Sequence, residues 1–449
     1  MTKKQPIQLS DHFTYGRLFK FILPSVAMML FNSLYSIVDG LFVSRFAGKE
    51  PLAAINLIFP LIMILGAIGF MIGTGGTAIV AKTLGMGEKK KANEYFSLLV
   101  YIAIGSGIVL AILGILLARP ISILFGAGDD TLEYCTTYAQ ILLSVLPFFM
   151  LQNIFQSFCI TAEKPKLGFI CTIGAGLTNI ILDALFVGLF GWGLVGAAAA
   201  TAASMFVGGL VPLIYFTTKN SSLLRLGKTK FYGKMLLHTC TNGSSELVSN
   251  ISMSIVTILY NAQIMHYAGT DGVAAYSAIM YVNFIFISMF IGFVIGSAPI
   301  VSFNFGAGNH AEMKNLFKKC LVITSVAGTL MALSAILLSA PLSELFVGYD
   351  RALYEMTRYG FLIFSIHYIF AGVNIFGSSF FTALNNGVVS AIISFLRTLV
   401  FQCASVLLLP LLFEDALDGI WYSVIVAELL TLVITVAFLI TKRKKYNYA

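Results

Sequence analysis

The amino-acid sequence contains a long internal repeat, and this repeat constrains the fold more than any other feature. When residue 47 is aligned with residue 268, the segment from about residue 47 to residue 162 matches the second half without a gap. We call this alignment the repeat register. The matched pairs include Ala47-Gly48 with Ala268-Gly269, Gly75 with Gly296, Pro120 with Pro341, and Asn153 with Asn374. Chance similarity does not keep one register over such a length, so the sequence predicts two bodies of similar fold within one chain.

The chain is also strongly apolar. Hydrophobic residues make up 58% of it and charged residues only 11%, a balance typical of polytopic membrane proteins and not of soluble domains. Apolar stretches of membrane-spanning length predict twelve helices, six in each repeat. We predict them near residues 21–44, 53–83, 95–117, 132–157, 167–190, 194–216, 236–264, 273–304, 316–338, 353–379, 388–411 and 418–440.

The expected fold is an all-α polytopic membrane protein with two six-helix lobes. Six helices in each repeat give both repeats the same orientation, so a pseudo-two-fold axis along the membrane normal relates them. We place the N-terminal lobe at residues 1–218, a polar cytoplasmic linker at 219–234 and the C-terminal lobe at 235–449. Duplicated lobes around a central site are a common architecture of secondary transporters. Each lobe supplies the other's partner surface, so we expect a monomer.

The basic residues predict the orientation in the membrane. With both termini in the cytoplasm, the inner segments hold 22 Lys and Arg residues and the outer loops hold 5, as the positive-inside rule requires. We expect a multi-pass protein of the bacterial cytoplasmic membrane. The net charge of +8 is spread over six inner segments, where it would attract anionic membrane lipids. This distribution does not favour a nucleic-acid partner.

The sequence contains no G-x-x-x-x-G-K-[ST] phosphate-binding loop, so we expect no ATP-driven motor in this chain. We expect no cofactor either. Uphill transport would then be driven by an ion gradient, with H⁺ or Na⁺ as the coupling ion.

Away from their ends, the predicted spans contain four acidic residues: Asp39, Asp183, Glu246 and Glu428. An intramembrane carboxylate is unfavourable by at least ~2.5 kcal/mol unless it is paired or hydrated, which makes it a functional candidate. The helical rise places Asp39 and Asp183 at a similar depth, together with Asn179 and Thr201. Carboxylate, amide and hydroxyl oxygens are ligands for Na⁺, and two adjacent carboxyl groups also take up a proton. The alternative is that each acid only bonds a neighbouring helix.

Several motifs resemble the multidrug and toxic compound extrusion (MATE) family of cation-coupled antiporters. They are Thr178-Asn179-Ile180-Ile181-Leu182-Asp183, Gly193-Leu194-Val195-Gly196-Ala197-Ala198 with Thr201, Pro24 and Asp39 in the first span, and Ile420-Trp421 with Ala427-Glu428-Leu429-Leu430 in the last. The resemblance implies that Asp39, Asn179, Asp183 and Thr201 form a Na⁺/H⁺ site in the N-terminal lobe. It also implies that Tyr138 lies nearby and that Pro24 marks a bend whose movement accompanies protonation.

The second lobe carries three further charged residues at mid-membrane depth. Arg397 facing Glu428 would form a buried structural ion pair, because an unpaired Arg is hard to tolerate there. Glu246 lacks an obvious partner, and we assign it to substrate contact or accessory protonation.

A substrate cavity is expected between the lobes, lined by aromatic and Met side chains that accept bulky organic cations. Its candidate residues are Phe148, Phe149, Met150, Phe155, Met280, Tyr281, Phe284 and Met289. Each of them has an alternative role, since apolar side chains on spans usually face lipid or neighbouring helices.

The resulting expectation is a membrane antiporter, not an enzyme, that exports organic, mainly cationic and amphipathic compounds in exchange for H⁺ or Na⁺. A first alternative is a flippase for a lipid-linked sugar or peptidoglycan precursor. That activity needs a basic cavity for a pyrophosphate, for which only Arg397 is a candidate. A second alternative, a channel or a membrane-embedded enzyme, has no filter-like loop and no H-E-x-x-H motif to support it.

Overall fold

The computed structural model describes residues 7–46 and 49–449, without the side chains of residues 41, 43–46 and 49–53. The start of the repeat, Ala47-Gly48, and the predicted outer-loop pair Arg45 and Lys49 therefore lie outside the described residues or side chains. All regular secondary structure in the described part of the chain is helical. The expectation of an all-α protein is confirmed.

The described residues form sixteen α-helices. They are α1 (Tyr15–Phe46), α2 (Lys49–Gly85), α3 (Lys89–Leu116), α4 (Ala118–Leu124), α5 (Asp129–Ser144), α6 (Leu146–Thr161), α7 (Pro165–Asp183), α8 (Gly193–Thr217), α9 (Gly233–Gly306), α10 (His310–Leu337), α11 (Ser339–Val347), α12 (Arg351–Phe364), α13 (Tyr368–Ala383), α14 (Gly387–Phe395), α15 (Phe401–Leu408) and α16 (Ala416–Tyr446). Two π-helical turns, Ala184–Leu189 and Leu396–Val400, extend α7 and α14, and short 3₁₀ turns cover Ser365–His367 and Leu409–Leu411.

Twelve membrane-spanning segments follow from these helices. Ten helical segments of the described chain are long and apolar enough to cross a membrane on their own, and α5 with α6 forms another across a bend of 56°. One of the ten, α9, is 74 residues long and is broken at Gly269, whose φ of 62° and ψ of −154° are non-helical. This left-handed φ favours glycine, and α9 thus supplies two spans. The predicted twelve-helix fold is confirmed.

The two halves repeat each other closely. Helices α3 and α10 begin and end at equivalent positions of the repeat register, and the short helices α4 and α11 begin at equivalent positions. The turns before α3 and α10 each contain a glycine of positive φ, Gly87 at 80° and Gly308 at 66°. After α6 and α13 the register shifts by one position, because the equivalent left-handed residues are Glu163 and Asn385. This shift explains why the ungapped sequence match ends near residue 162.

The two halves meet along a seam of close backbone contacts between α2 and α9. Gly85 faces the carbonyl oxygen of Phe303, and Gly306 faces that of Lys82. In the repeat register Gly85 is equivalent to Gly306 and Lys82 to Phe303, so the contact is reciprocal. Reciprocal contacts are the signature of a two-fold interface, and a pseudo-two-fold axis therefore passes through this seam.

Gly243 of α9 is expected to be essential for the seam. A Cβ atom added there would overlap the carbonyl oxygen of Met71 on α2. We expect Gly243→Ala to destabilise the protein by about 1–3 kcal/mol, the usual range for overpacking, as measured by thermal unfolding in detergent. The matched control is Gly174→Ala on α7, where no atom lies within 4 Å of the added Cβ.

The control Gly174→Ala is expected to stabilise the protein instead, because alanine is favoured over glycine in a helix by roughly 0.8–1.0 kcal/mol. Equal melting temperatures for the two variants would mean that the seam does not require glycine at residue 243.

The first described residues and the C-terminus lie on the same face of the molecule, which we call the termini face. Asn304, near the end of α9, donates to the backbone oxygen of Leu9. Near the C-terminus, Tyr446 packs on Phe305 with ring centroids 5.8 Å apart. An even number of spans requires this arrangement. The lobe boundaries at 218/219 and 234/235 stay predictions.

Candidate cation site

The N-terminal half brings two carboxyl groups together. Helix α1 carries Asp39, and α7 carries Asp183 and Asn179 one helical turn apart. Helices α1 and α7 pack against each other, and Asp39 interacts at close range with both α7 side chains. Asp183 is fully buried and Asn179 is 1% exposed, whereas Asp39 is half-buried. The candidate site is thus a carboxyl pair with one member fully buried and the other partly accessible.

The polar atoms of this site have few protein partners. Among the described residues, Oδ1 of Asp39, both carboxyl oxygens of Asp183 and both amide atoms of Asn179 are buried without a hydrogen-bond partner. Two carboxylates only accept hydrogen bonds, so they cannot satisfy each other. A buried, unpaired charge is unfavourable by several kcal/mol. A proton shared by the pair, or a cation bound by its oxygens, would supply the interaction that the protein does not.

Two tyrosines lie around the carboxyl pair. Tyr138 on α5 is 4% exposed and interacts electrostatically with both Asp39 and Asp183. Tyr35 interacts with Asp39 from the preceding turn of α1 and packs against Gly176 of α7. Tyr138 was predicted from the family resemblance, but Tyr35 was missed. Its spacing of four residues from Asp39 was the signal that could have identified it, since residues i and i+4 share a helix face.

Two other predicted residues make no described hydrogen bond to the carboxyl pair, and Pro24 lies about 22 Å from Asp39 along α1 by the helical rise. Thr201 is half-buried on α8, which packs against α1 and α7, but no described hydrogen bond joins its hydroxyl to the carboxyl groups. Pro24 lies inside α1, which continues through it as one helix. Its neighbours Ser25 and Val26 pack against Gly292 of α9. A Cβ atom added to that glycine would lie only 2.6 Å from the Cα atom of Val26. Pro24 therefore lies at the seam between the halves.

The chain departs from regular α-helix directly after Asp183. The π-helical turn Ala184–Leu189 follows α7, and its Phe186 stacks on Trp192 at 4.9 Å. Gly191 and Gly193 then reverse the chain with φ values of 68° and 53°, leading into α8. Single π-helical turns occur often at functional sites because they change the direction in which side chains point. Here the turn sets the position of Asp183 at the end of the regular helix.

The C-terminal half contains a buried ion pair. Nη2 of Arg397 lies 2.8 Å from Oε1 of Glu428, and its Nε donates to the same carboxylate at 2.9 Å. Nδ2 of Asn374 donates to Oε2 of Glu428 at 2.7 Å. Glu428 is 2% exposed. The structure thus brings Arg397 and Glu428 together, and the carboxylate is neutralised within the protein.

The position equivalent to Asp39 in the second half is uncharged. The repeat register leads from Asp39 to Tyr260, whose hydroxyl bonds Gln402 at 2.8 Å and Ser423 at 2.7 Å. Tyr260 is 1% exposed, so this cluster is a buried, satisfied network. The two halves share a fold but differ in chemistry, and the carboxyl pair, which has no ion pair with a described side chain, lies in the N-terminal half.

The remaining candidates have mixed surroundings. Glu246 is half-buried on α9, where its backbone oxygen accepts from Asn250. Phe149 is 8% and Phe155 1% exposed, and Phe155 stacks on Phe216 inside the N-terminal half. The second-half candidates on α9 are more open, and Phe284 is 45% exposed. Met280 and Met289 are partly buried on the same helix. The cavity roles of all these residues stay predictions.

A duplicated bundle of twelve spans with an intramembrane carboxyl pair defines a membrane transporter and not an enzyme. Comparison with known families agrees: the MatE family model matches residues 24–185 and 247–406. These two segments lie in the two halves of the fold and together cover well over half of the chain. The chain belongs to the MatE family of multidrug and toxic compound extrusion transporters.

Curated relatives match along nearly the whole chain. The multidrug export protein MepA of Staphylococcus aureus (strain MRSA252) is 24% identical over 415 residues, which cover 91% of this chain and 89% of that protein. MepA of Staphylococcus saprophyticus is also 24% identical, over 427 residues that cover 93% of this chain and 92% of the relative.

Solved structures have the same fold. A crystal structure of MATE in complex with MaL6 is 19% identical with a TM-score of 0.93, and all of both chains is covered. The outward-facing conformation of a multidrug resistance MATE family transporter of the MOP superfamily is also 19% identical, with a TM-score of 0.92 and full coverage of both chains. Sequence identity at this level establishes the fold alone.

Proposed function

We propose that this protein exports organic, mainly cationic and amphipathic compounds in exchange for H⁺ or Na⁺. The observation that carries the proposal is the pair of Asp39 and Asp183, whose buried oxygens have no hydrogen-bond partner among the described residues. The relatives named multidrug export proteins support the substrate class. The protein would lie in the bacterial cell membrane as a monomer, with the termini face toward the cytoplasm, as the distribution of basic residues predicts.

The cation site would control the conformational equilibrium through its charge. With both carboxyl groups ionised, Asp39 on α1 and Asp183 on α7 repel each other, and the two helices are pushed apart. A proton or a Na⁺ ion would remove the repulsion and allow the helices to approach. Asn179, Thr201 and Tyr138 would provide further oxygen atoms around the ion. The ion would act only through its different affinity for the two arrangements of the protein.

Helix α1 would transmit this change to the space between the halves. It carries Asp39 toward one end and packs on α9 through the segment next to Pro24. Proline lacks the backbone N–H that would tie it to the preceding turn, so α1 can bend there at low energetic cost. Bending would change the shape of the cavity and lower its affinity for the exported compound. Ion uptake and compound release are thereby linked.

The compound itself would bind between the halves. Glu246 would attract a cationic group, and Met280, Phe284 and Met289 on the same helix would contact its apolar part. Cation-π and thioether contacts adapt to compounds of different shape, which suits a broad substrate range. In the opposite half, Phe149 and Phe155 would reach the compound only after a rearrangement, because both are now buried.

The flippase alternative receives less support. It requires a basic group free to bind a pyrophosphate, and Arg397 was the candidate for that role. Its guanidinium is engaged by Glu428, so the electrostatic field at this point is largely cancelled.

The proposal is tested by transport of ethidium in proteoliposomes that contain the wild-type protein. We expect efflux when a pH or Na⁺ gradient is imposed and little efflux without one. Conversely, an ethidium gradient should drive movement of the coupling ion. Ethidium leakage with no exchange for a cation would contradict antiport. Translocation of a lipid-linked precursor, with no ethidium transport under either gradient, would favour the flippase.

A further inference from the structure

Residues 7–14, which we call the N-terminal strap, lie across the seam between the two halves. Leu9 makes hydrogen bonds to both of them. Its N–H donates to Oε1 of Glu163 in the N-terminal half at 2.7 Å, and its carbonyl oxygen accepts from Asn304 of α9 at 3.3 Å. The Leu9 side chain is fully buried. Leu9 therefore connects the two halves on the termini face by one hydrogen bond to each.

The end of the strap is bound to α10 in the C-terminal half. The N–H of Phe13 donates to Oε1 of Glu312 at 2.9 Å, and the ring of His12 lies 2.6 Å from the other carboxylate oxygen. The Phe13 carbonyl oxygen accepts from Asn315 at 3.0 Å and from Lys319 at 2.6 Å. The Phe13 side chain is fully buried. The strap thus occupies a built seat on the half to which α1, the next helix, does not belong.

A second segment repeats this arrangement. Residues 221–232 precede α9 and lie along α3, where the Arg225 N–H donates to Asn93 at 2.6 Å and the Gly227 N–H donates to Ser97 at 3.0 Å. Helices α3 and α10 are equivalent in the repeat. In each case the segment before the first span of one half is bound to the third span of the other. Seats repeated by the pseudo-symmetry indicate that the strap is a regular part of the fold.

Glu163 helps to define the seat in the N-terminal half. It has a positive φ of 59° in the turn between α6 and α7, which directs its side chain toward the strap. Burial raises the pKa of this carboxyl above its ordinary value, while the Leu9 N–H partly opposes the effect.

We propose that the N-terminal strap is a latch that holds the transporter closed on the termini face and must leave its seat on α10 whenever the protein opens to that side. This inference rests on the proposed alternating-access function. Only two residues separate Glu312-bound His12 from Tyr15, the first residue of α1. A docked strap therefore ties the start of α1 to α10, and at about 3.3–3.6 Å per residue it has little slack to let them part. Strap release and opening of the termini face are one event.

The first test measures how often the seam opens. A single reporter, Thr239→Cys, replaces a fully buried seam residue in protein whose six native cysteines have been replaced. We expect Glu312→Ala to raise its alkylation rate at least about tenfold, because hydrogen bonds to a charged group are lost. Lys318→Ala, an exposed change on the same helix, should leave the rate unchanged. An unchanged rate in Glu312→Ala would overturn the latch.

The second test asks whether the strap has to move. Phe13→Cys and Asn315→Cys join the strap to α10 when oxidised. We expect oxidation to reduce ethidium efflux at least tenfold and reductant to restore it. Full efflux from the reduced protein would show that antiport itself is intact. Full efflux from the oxidised protein as well would then overturn the latch and leave the proposed function untouched. If the paired cysteines prevent folding, the alkylation measurement decides alone.

Discussion

Asp39→Asn and Asp183→Asn are each expected to lower gradient-driven ethidium efflux about 5- to 150-fold, the usual span of a coupling free energy between two sites. An amide has nearly the shape of a carboxyl group but neither its charge nor its titratable proton. Each variant therefore keeps the packing of α1 on α7 and loses the repulsion that the coupling ion would relieve. Proteoliposomes with an imposed pH or Na⁺ gradient provide the measurement.

A purely structural role of these residues would also lower efflux, so a second readout is needed. In the wild type, ethidium affinity should fall as the concentration of the coupling ion rises, because the two ligands favour different arrangements. In both variants this dependence should be nearly flat. The matched control is Glu133→Gln, which removes an exposed carboxyl from α5, the helix that carries Tyr138. It should retain both the transport rate and the ion dependence.

Wild-type behaviour in both aspartate variants would place the coupling site elsewhere. Glu246 would then be the next carboxyl to substitute, since Glu428 is already neutralised by Arg397.

The repeat made most of the fold predictable from the sequence. The repeat register maps α3 on α10 and Gly87 on Gly308, because duplicated sequence keeps both helix length and turn geometry. The reciprocal contact of Gly85 and Gly306 follows from the same symmetry. The N-terminal strap and the segment before α9 were not predictable in this way. Residues 7–14 and 221–232 are bound by hydrogen bonds to distant helices, and such contacts leave no periodic pattern in the sequence.

The candidate cation site was partly predictable. Asp39 and Asp183 stand out because charge is rare in an apolar chain. They are far apart in sequence, but counting the spans and the helical rise places them at a similar depth. Tyr35 does not stand out, since aromatic residues are common throughout the spans. The π-helical turn after Asp183 has no residue type that marks it. The charged residues of the site are thus easier to predict from the sequence than the aromatic neighbours and the backbone geometry around them.

Apolar residues were the hardest to assign. Phe155 and Phe284 were both candidates for the cavity, yet one is 1% and the other 45% exposed. In a membrane protein, helix packing, lipid contact and a drug cavity all favour apolar side chains. Hydrophobicity therefore cannot separate these three environments, whereas the packing of neighbouring helices does.

Arg397→Met is expected to destabilise the protein by about 3–5 kcal/mol, because it leaves the buried Glu428 carboxylate without its cation. Asn374 would still donate to that carboxylate, but a neutral donor does not cancel its charge. The melting temperature in detergent should fall clearly. The control is Glu355→Gln, which breaks the ion pair with Arg351; those two side chains are 50% and 77% exposed. Exposed pairs contribute only about 0–1 kcal/mol.

The double variant Arg397→Met with Glu428→Leu distinguishes a structural pair from a transport site. It removes both charges, and Asn374 keeps its bond to the backbone oxygen of residue 428 at 2.9 Å. Replacing both partners of a buried ion pair with apolar side chains is often neutral or stabilising, so most of the lost stability should return. If the pair only stabilises the C-terminal half, ion-driven efflux should return with it. Recovered stability without recovered efflux would instead mean that the charges of the second half also take part in transport.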